Sequence, residues 1–152
     1  MSEKTNKNNV NTQYNIEQTN QYLEELGLEP NNYGVNFTQK GDQRREVWEE
    51  QKKLYGFDER ETWNLNNIFV EWLYCHCKMY LDKAGNIINL DYYKFEFEGI
   101  EYTQREAIEY IIEKCKPYLT TKFEYSEDED AAIKGVQKAI NLWSMVFPAM
   151  WW

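Results

Sequence analysis

Apolar residues recur three and four positions apart along most of this chain and alternate at period two in one short stretch, which predicts several helices around a small hairpin. From about Asn15 to Leu26 the residues Ile16, Tyr22, Leu23 and Leu26 make a short apolar stripe, with Gly27 placed as a helix stop. The segment Glu29–Gly41 is rich in turn formers and holds at most a short strand at Val35–Phe37. Asp42 is expected to cap a largely charged helix to about Tyr55, laid on the rest through Trp48 and ended by Gly56.

The pair Asp58 and Glu61 reads as a capping box that opens the main helix. Its predicted apolar face runs through Trp63, Leu65, Ile68/Phe69, Trp72/Leu73, His76 and Met79/Tyr80 to about Lys83, where Ala84-Gly85-Asn86 breaks it. Tyr93, Phe95 and Phe97 alternate with charged residues and are expected to face inward on the first strand of a hairpin, with Ile100–Tyr102 as the return strand. Thr103 and Glu106 then form a capping box for a helix that buries Ala107, Ile108, Ile111, Ile112 and Cys115 and ends near Pro117. The last helix is predicted from Ser126 with the stripe Ile133, Val136, Ile140, Trp143 and Phe147, stopped by Pro148. The expected fold is α+β and predominantly helical, with about five helices and one small β-hairpin. The expected organisation is a disordered tail at 1–14, peripheral helices over 15–56 and a compact aromatic-rich domain over 57–152.

At 152 residues the chain suits one core, and its 6 Trp, 12 Tyr and 7 Phe exceed what that core needs. The surplus predicts exposed aromatic surface, the mark of a ligand, a partner or self-association. A formal charge of −9, from 17 basic and 26 acidic residues, argues against direct nucleic-acid binding and against an anionic membrane surface. No run reaches the length of a membrane span. Three cysteines in no disulfide framework, and no signal-peptide pattern, suggest a reducing cytoplasm.

Candidate chemistry is sparse. Cys75-His76-Cys77 holds metal-ligand types, but residues two apart on a helix point about 200° apart and cannot grip one ion. The expectation is buried thiols, with no metal and no cofactor. His76 is the one histidine and Ser2, Ser126 and Ser144 are the serines, too little for a hydrolytic triad. Asp82–Ile87 fails as a calcium loop because Ala84 takes a ligand position and Ile87 the glycine position. Nucleotide-binding glycine patterns do not occur. The chain therefore reads as a non-enzyme.

Three sets of residues remain as candidate contacts. Glu124, Glu127, Asp128, Glu129 and Asp130, extended by Glu96, Glu98 and Glu101, either balance a helix dipole or form an acidic face for a partner's basic groove. Arg60, Trp63, Tyr92 and Arg105 are candidates for holding a phosphate-bearing ring. Trp151 and Trp152 are expected to fold back and seal the core, or else to form a subunit contact.

Three segments carry a resemblance: Tyr55–Leu65 (YGFDERETWNL), Phe97–Ile108 (FEGIEYTQREAI) and Phe147–Trp152 (FPAMWW). Over roughly Tyr55 to Trp152 the chain resembles a family of small proteins encoded by phages and integrated elements of AT-rich bacteria, with a Gly-Phe-Asp-x-Arg-Glu-Thr-Trp-x-Leu segment and a closing Pro-Ala-Met-Trp-Trp. The resemblance transfers no catalytic residue. It implies an accessory phage protein that binds and inhibits a bacterial defence component in the host cytoplasm, an anti-CRISPR or another nuclease inhibitor. The alternatives are a sponge for a nucleotide-like immune signal and a structural homo-oligomer.

Overall fold

The computed structural model describes residues 22–28, 42–121 and 127–152. Within them the fold is predominantly helical α+β, with one two-stranded hairpin between helices. Residues 22–24 are helical and close on a Schellman motif, in which Leu28 N–H donates to the Leu23 carbonyl (3.0 Å) and Gly27 N–H to Glu24 (2.9 Å), with Gly27 at φ +72°. Tyr22 is buried in the main core and its hydroxyl donates to Asp82.

Helix α1 (Arg45–Tyr55) is preceded by Asp42, whose carboxylate accepts from the Arg44 backbone and guanidinium, and it ends on left-handed Gly56. Only Trp48 is buried on it, apart from the main core. The capping box at Asp58 and Glu61 forms as expected, but it closes a 3-10 turn (Glu59–Thr62) rather than the main helix. Trp63 turns away to pack edge-on against Trp48 (6.0 Å), the backbone leaves helical geometry at Asn64, and α2 runs from Leu65 to Ala84.

The buried face of α2 is Val70, Leu73, Tyr74, Cys77 and Ala84, which corrects the expected one. Of the expected row, Leu73 is buried, whereas Trp63, Leu65, Trp72 and His76 lie exposed. Val70, Cys77 and Ala84 let the neighbouring helix approach closely, which a row of indoles would prevent, and Leu73 and Tyr74 fill the core beside them. The same correction holds for the last helix.

Strands β1 (Lys94–Phe97) and β2 (Ile100–Thr103) pair antiparallel with Phe95 opposite Tyr102, joined by Glu98 and Gly99, both at positive φ as a type I′ turn requires. Phe95, Phe97 and Tyr102 pack on the core, but Tyr93 precedes the strand and is exposed, contrary to the expected inward position. Thr103 caps α3 (Gln104–Thr120) by accepting from Glu106 N–H, and the five expected residues are buried. This helix continues through Pro117 instead of ending there. Proline in a last turn forfeits one backbone bond, while Tyr118 and Leu119 beyond it are buried.

Helix α4 (Glu127–Val146) buries Ala132, Val136, Ala139, Leu142 and Val146 against α3, its principal partner. Of the expected stripe only Val136 is fully buried. Ile133, Ile140 and Trp143 are half-buried and Phe147 is exposed, opening a 3-10 turn (Phe147–Ala149). The expected start at Ser126 lies outside the described residues. Helix α3 thus sits between α2 and α4, with the hairpin across α3 and α4.

A candidate binding groove

Rotating α2 and α4 so that small residues meet α3 leaves their large residues facing outward side by side. Leu65, Ile68, Phe69 and Trp72 of α2, Trp143 of α4, and Phe57, Glu61 and Thr62 of the connection into α2 line an open groove of about 320 Å³. The rings touch: Phe69 stacks with Trp72 (6.3 Å, 13°), and Trp143 meets both edge-on at 6.1 Å. Phe147 extends the row from Trp143, and His76 stacks on Trp72 at 4.1 Å. Leu65 is 57% exposed and Trp72 43%, so this apolar surface faces solvent. Glu61 is the one charged lining residue, and its carboxylate accepts from Asp58 N–H.

The end wall at Phe57 is set by a small polar and aromatic box. Asp58, buried, accepts two hydrogen bonds from the Arg60 guanidinium (2.9 and 2.7 Å), which lies 4.7 Å above the Trp48 ring. These bonds hold the Asp58 carboxyl below the ordinary carboxylate range against the opposing effect of burial. Trp48 Nε1 donates to Glu59, and Gln51 accepts from Glu59 N–H, so α1 is fastened to the connection. Arg44 also lies over Trp48, at 5.0 Å.

Of the candidate ligand residues, Arg60 and Trp63 come together in this box, but Arg60 is engaged by Asp58. Arg105 pairs with Asp91 at 3.5 Å, beside Tyr92, which is 74% exposed and packs edge-on against Tyr93. In the acidic set, Glu127, Asp128 and Asp130 are exposed and Glu129 half-buried in the first turn of α4, while Glu124 lies outside the described residues. On the hairpin, Glu98 pairs with Lys138 of α4 (3.2 Å), and Glu96 stands opposite Glu101, which pairs with Lys94 (3.3 Å). Lys134 and Lys138 thus follow the acidic first turn along α4, and Lys138 makes its contact with Glu98.

Trp151 and Trp152 do not seal the core. They are 70% and 57% exposed, because the chain is held by its backbone: the Tyr80 hydroxyl donates to the Trp151 carbonyl (3.4 Å), and buried Gln104 donates to Ala149 (3.1 Å) and Tyr80 (3.2 Å).

Burial pushes the Cys77 and Cys115 thiols up to about 12, and burial with nearby Glu71 raises Cys75 to about 11. Burial thus favours the protonated form of all three thiols, which lowers their reactivity. His76 is exposed, and its Nδ1 donates to the Trp72 carbonyl (2.7 Å). Among the described residues no group of three His, Cys, Asp or Glu side chains is placed to hold a metal ion, and no helix is long and apolar enough to cross a membrane.

Comparison with family models, curated proteins and solved structures finds no match. The groove was not singled out by the sequence patterns, although they contain its signal. The middle of α2 is apolar over more than the roughly 100° stripe that one buried face requires.

Proposed function

We propose that this chain is a non-enzymatic binding protein that acts by occupying a protein partner through the aromatic groove between α2 and α4. The observation that carries the reading is the run of contacting, solvent-facing rings Phe69, Trp72 and Trp143 in a concave apolar surface. In the phage context that the sequence resemblance implies, the partner is a host protein, such as a defence component, inhibited by occupancy. A nucleotide-like ligand is less well served, because the groove's only charged lining group is a carboxylate and both candidate arginines face aspartates.

The test separates the groove from the acidic face. The immobilised chain is compared in bacterial lysate with Leu65→Ser/Trp72→Ser and with Glu127→Lys/Asp128→Lys/Asp130→Lys. Specific capture should vanish with the first variant and survive in the second; the opposite result moves the contact to the acidic turn of α4, and unchanged capture by both removes the proposal.

A further inference from the structure

The groove's shape and surrounding charge narrow what fits it. Leu65 to Trp72 spans seven residues, about 10.5 Å of helix, or two turns. An outward ridge at i, i+3, i+4 and i+7 beside a second helix is the surface against which an amphipathic helix lays its own anchors. No strand edge adjoins it among its lining residues.

Three observations bear on the partner's charge. Residues 61–77 include two carboxylates, Glu61 and Glu71, and no Lys or Arg. Residues 139–152, which contribute Trp143 and Phe147, carry no charged side chain. The last turn of α4 holds no basic residue, so the negative end of its dipole, at Trp143–Val146, is not balanced by a cation in that turn. The net charge of −9 acts in the same direction at longer range. That charge also sets two copies of the chain against one another, which disfavours a second copy as the occupant.

We infer that the groove receives a basic amphipathic helix of a partner protein, with apolar anchors on Phe69, Trp72 and Trp143 and Lys or Arg flanks toward the α4 C-terminus and Glu61. This rests on the groove being the contact surface. It specifies the partner's chemistry.

The probes are labelled helical peptides that share one Leu/Phe anchor pattern: one with Lys/Arg flanks, one with Glu flanks, and one with the basic composition scrambled out of helical period. Anisotropy should show the basic amphipathic peptide binding the intact chain about tenfold tighter than the acidic one at about 50 mM salt, the gap closing to about twofold near 0.5 M. Leu65→Ser/Trp72→Ser should weaken the basic peptide about tenfold with an unchanged melting curve; Leu65→Ser alone serves if the double variant melts early. Equal binding of acidic and basic peptides overturns the charge assignment while leaving the groove as the contact. Equal binding of the scrambled peptide, or no binding of any peptide, overturns the helical occupant. Self-association that Leu65→Ser abolishes makes the occupant a second copy and overturns the inference.

Discussion

Arg60 and Asp58 share two parallel hydrogen bonds at 2.9 and 2.7 Å, with the carboxylate buried and the guanidinium roofed by Trp48. Replacing one partner leaves the other charge desolvated, so Asp58→Asn is expected to cost about 3 kcal/mol in urea unfolding and to shift Trp48 emission to the red. An unchanged midpoint would show that the box does not hold α1 in place.

The same pair sets an acid dependence. The folded-state pKa of Asp58 lies below its unfolded value, so the stabilisation is complete above that unfolded value, near 4, and is lost as pH falls through the lower folded value. Asp42, lowered to about 2 by Arg44, acts in the same window from an exposed site. Stability should be flat near neutrality and decline below about pH 4, with a shallower decline in Asp58→Asn. Parallel declines in both proteins would contradict the assignment.

Trp72 and Leu73 are neighbours about 100° apart around α2, the first exposed and the second buried. Leu73→Ala should cost about 2–5 kcal/mol, whereas Trp72→Ala should cost about 1 kcal/mol and reduce binding of an environment-sensitive apolar dye. Thermal melts together with dye fluorescence check both halves, and equal losses of stability would place the buried face elsewhere.

Gln104 is 1% exposed and links α3 to Tyr80 and Ala149. Gln104→Ala removes both bonds and opens a void, at an expected cost of about 2–3 kcal/mol. Amide exchange should quicken at residues 149–151 in particular. Protection unchanged there would mean that the segment is held by other contacts.

Burial of the thiols predicts their reactivity. At about pH 8 an aromatic disulfide reagent should leave Cys77 and Cys115 unlabelled and modify Cys75 slowly, while denaturant releases all three. Fast native labelling of Cys77 would refute its place in the core.

Much of this fold is legible residue by residue where one local interaction decides the outcome. Thr103 has one helix to cap, Gly27 and Gly56 each close a turn at positive φ, and α3 has one apolar face to bury. The failures on α2 and α4 share a cause. On α2 and α4 a row of large residues lies beside a row of smaller ones, and periodicity scores both alike. Only the close approach to α3 selects Val70, Cys77 and Ala84, or Ala132 and Ala139, leaving Trp72 and Trp143 outside. The groove is thus a product of helix rotation, which no linear pattern states. Gln104 was equally hidden, because a helix pattern does not show which polar side chain the neighbouring elements will enclose.

The position of that glutamine also has a consequence for the order of folding. Helix α4 follows α3 after six residues, and the segment between α2 and α3 is largely a local hairpin, so most of the helical scaffold has low contact order and should form quickly. The Gln104 amide bonds a carbonyl 45 residues further on, and Tyr80 one 71 residues further on. On a ribosome, the scaffold around α2 and α3 would emerge first, with the Gln104 side chain still hydrated. Its burial must wait for Ala149 to leave the exit tunnel, which makes closure of this polar knot the step that registers the arrival of the Phe147–Trp152 segment.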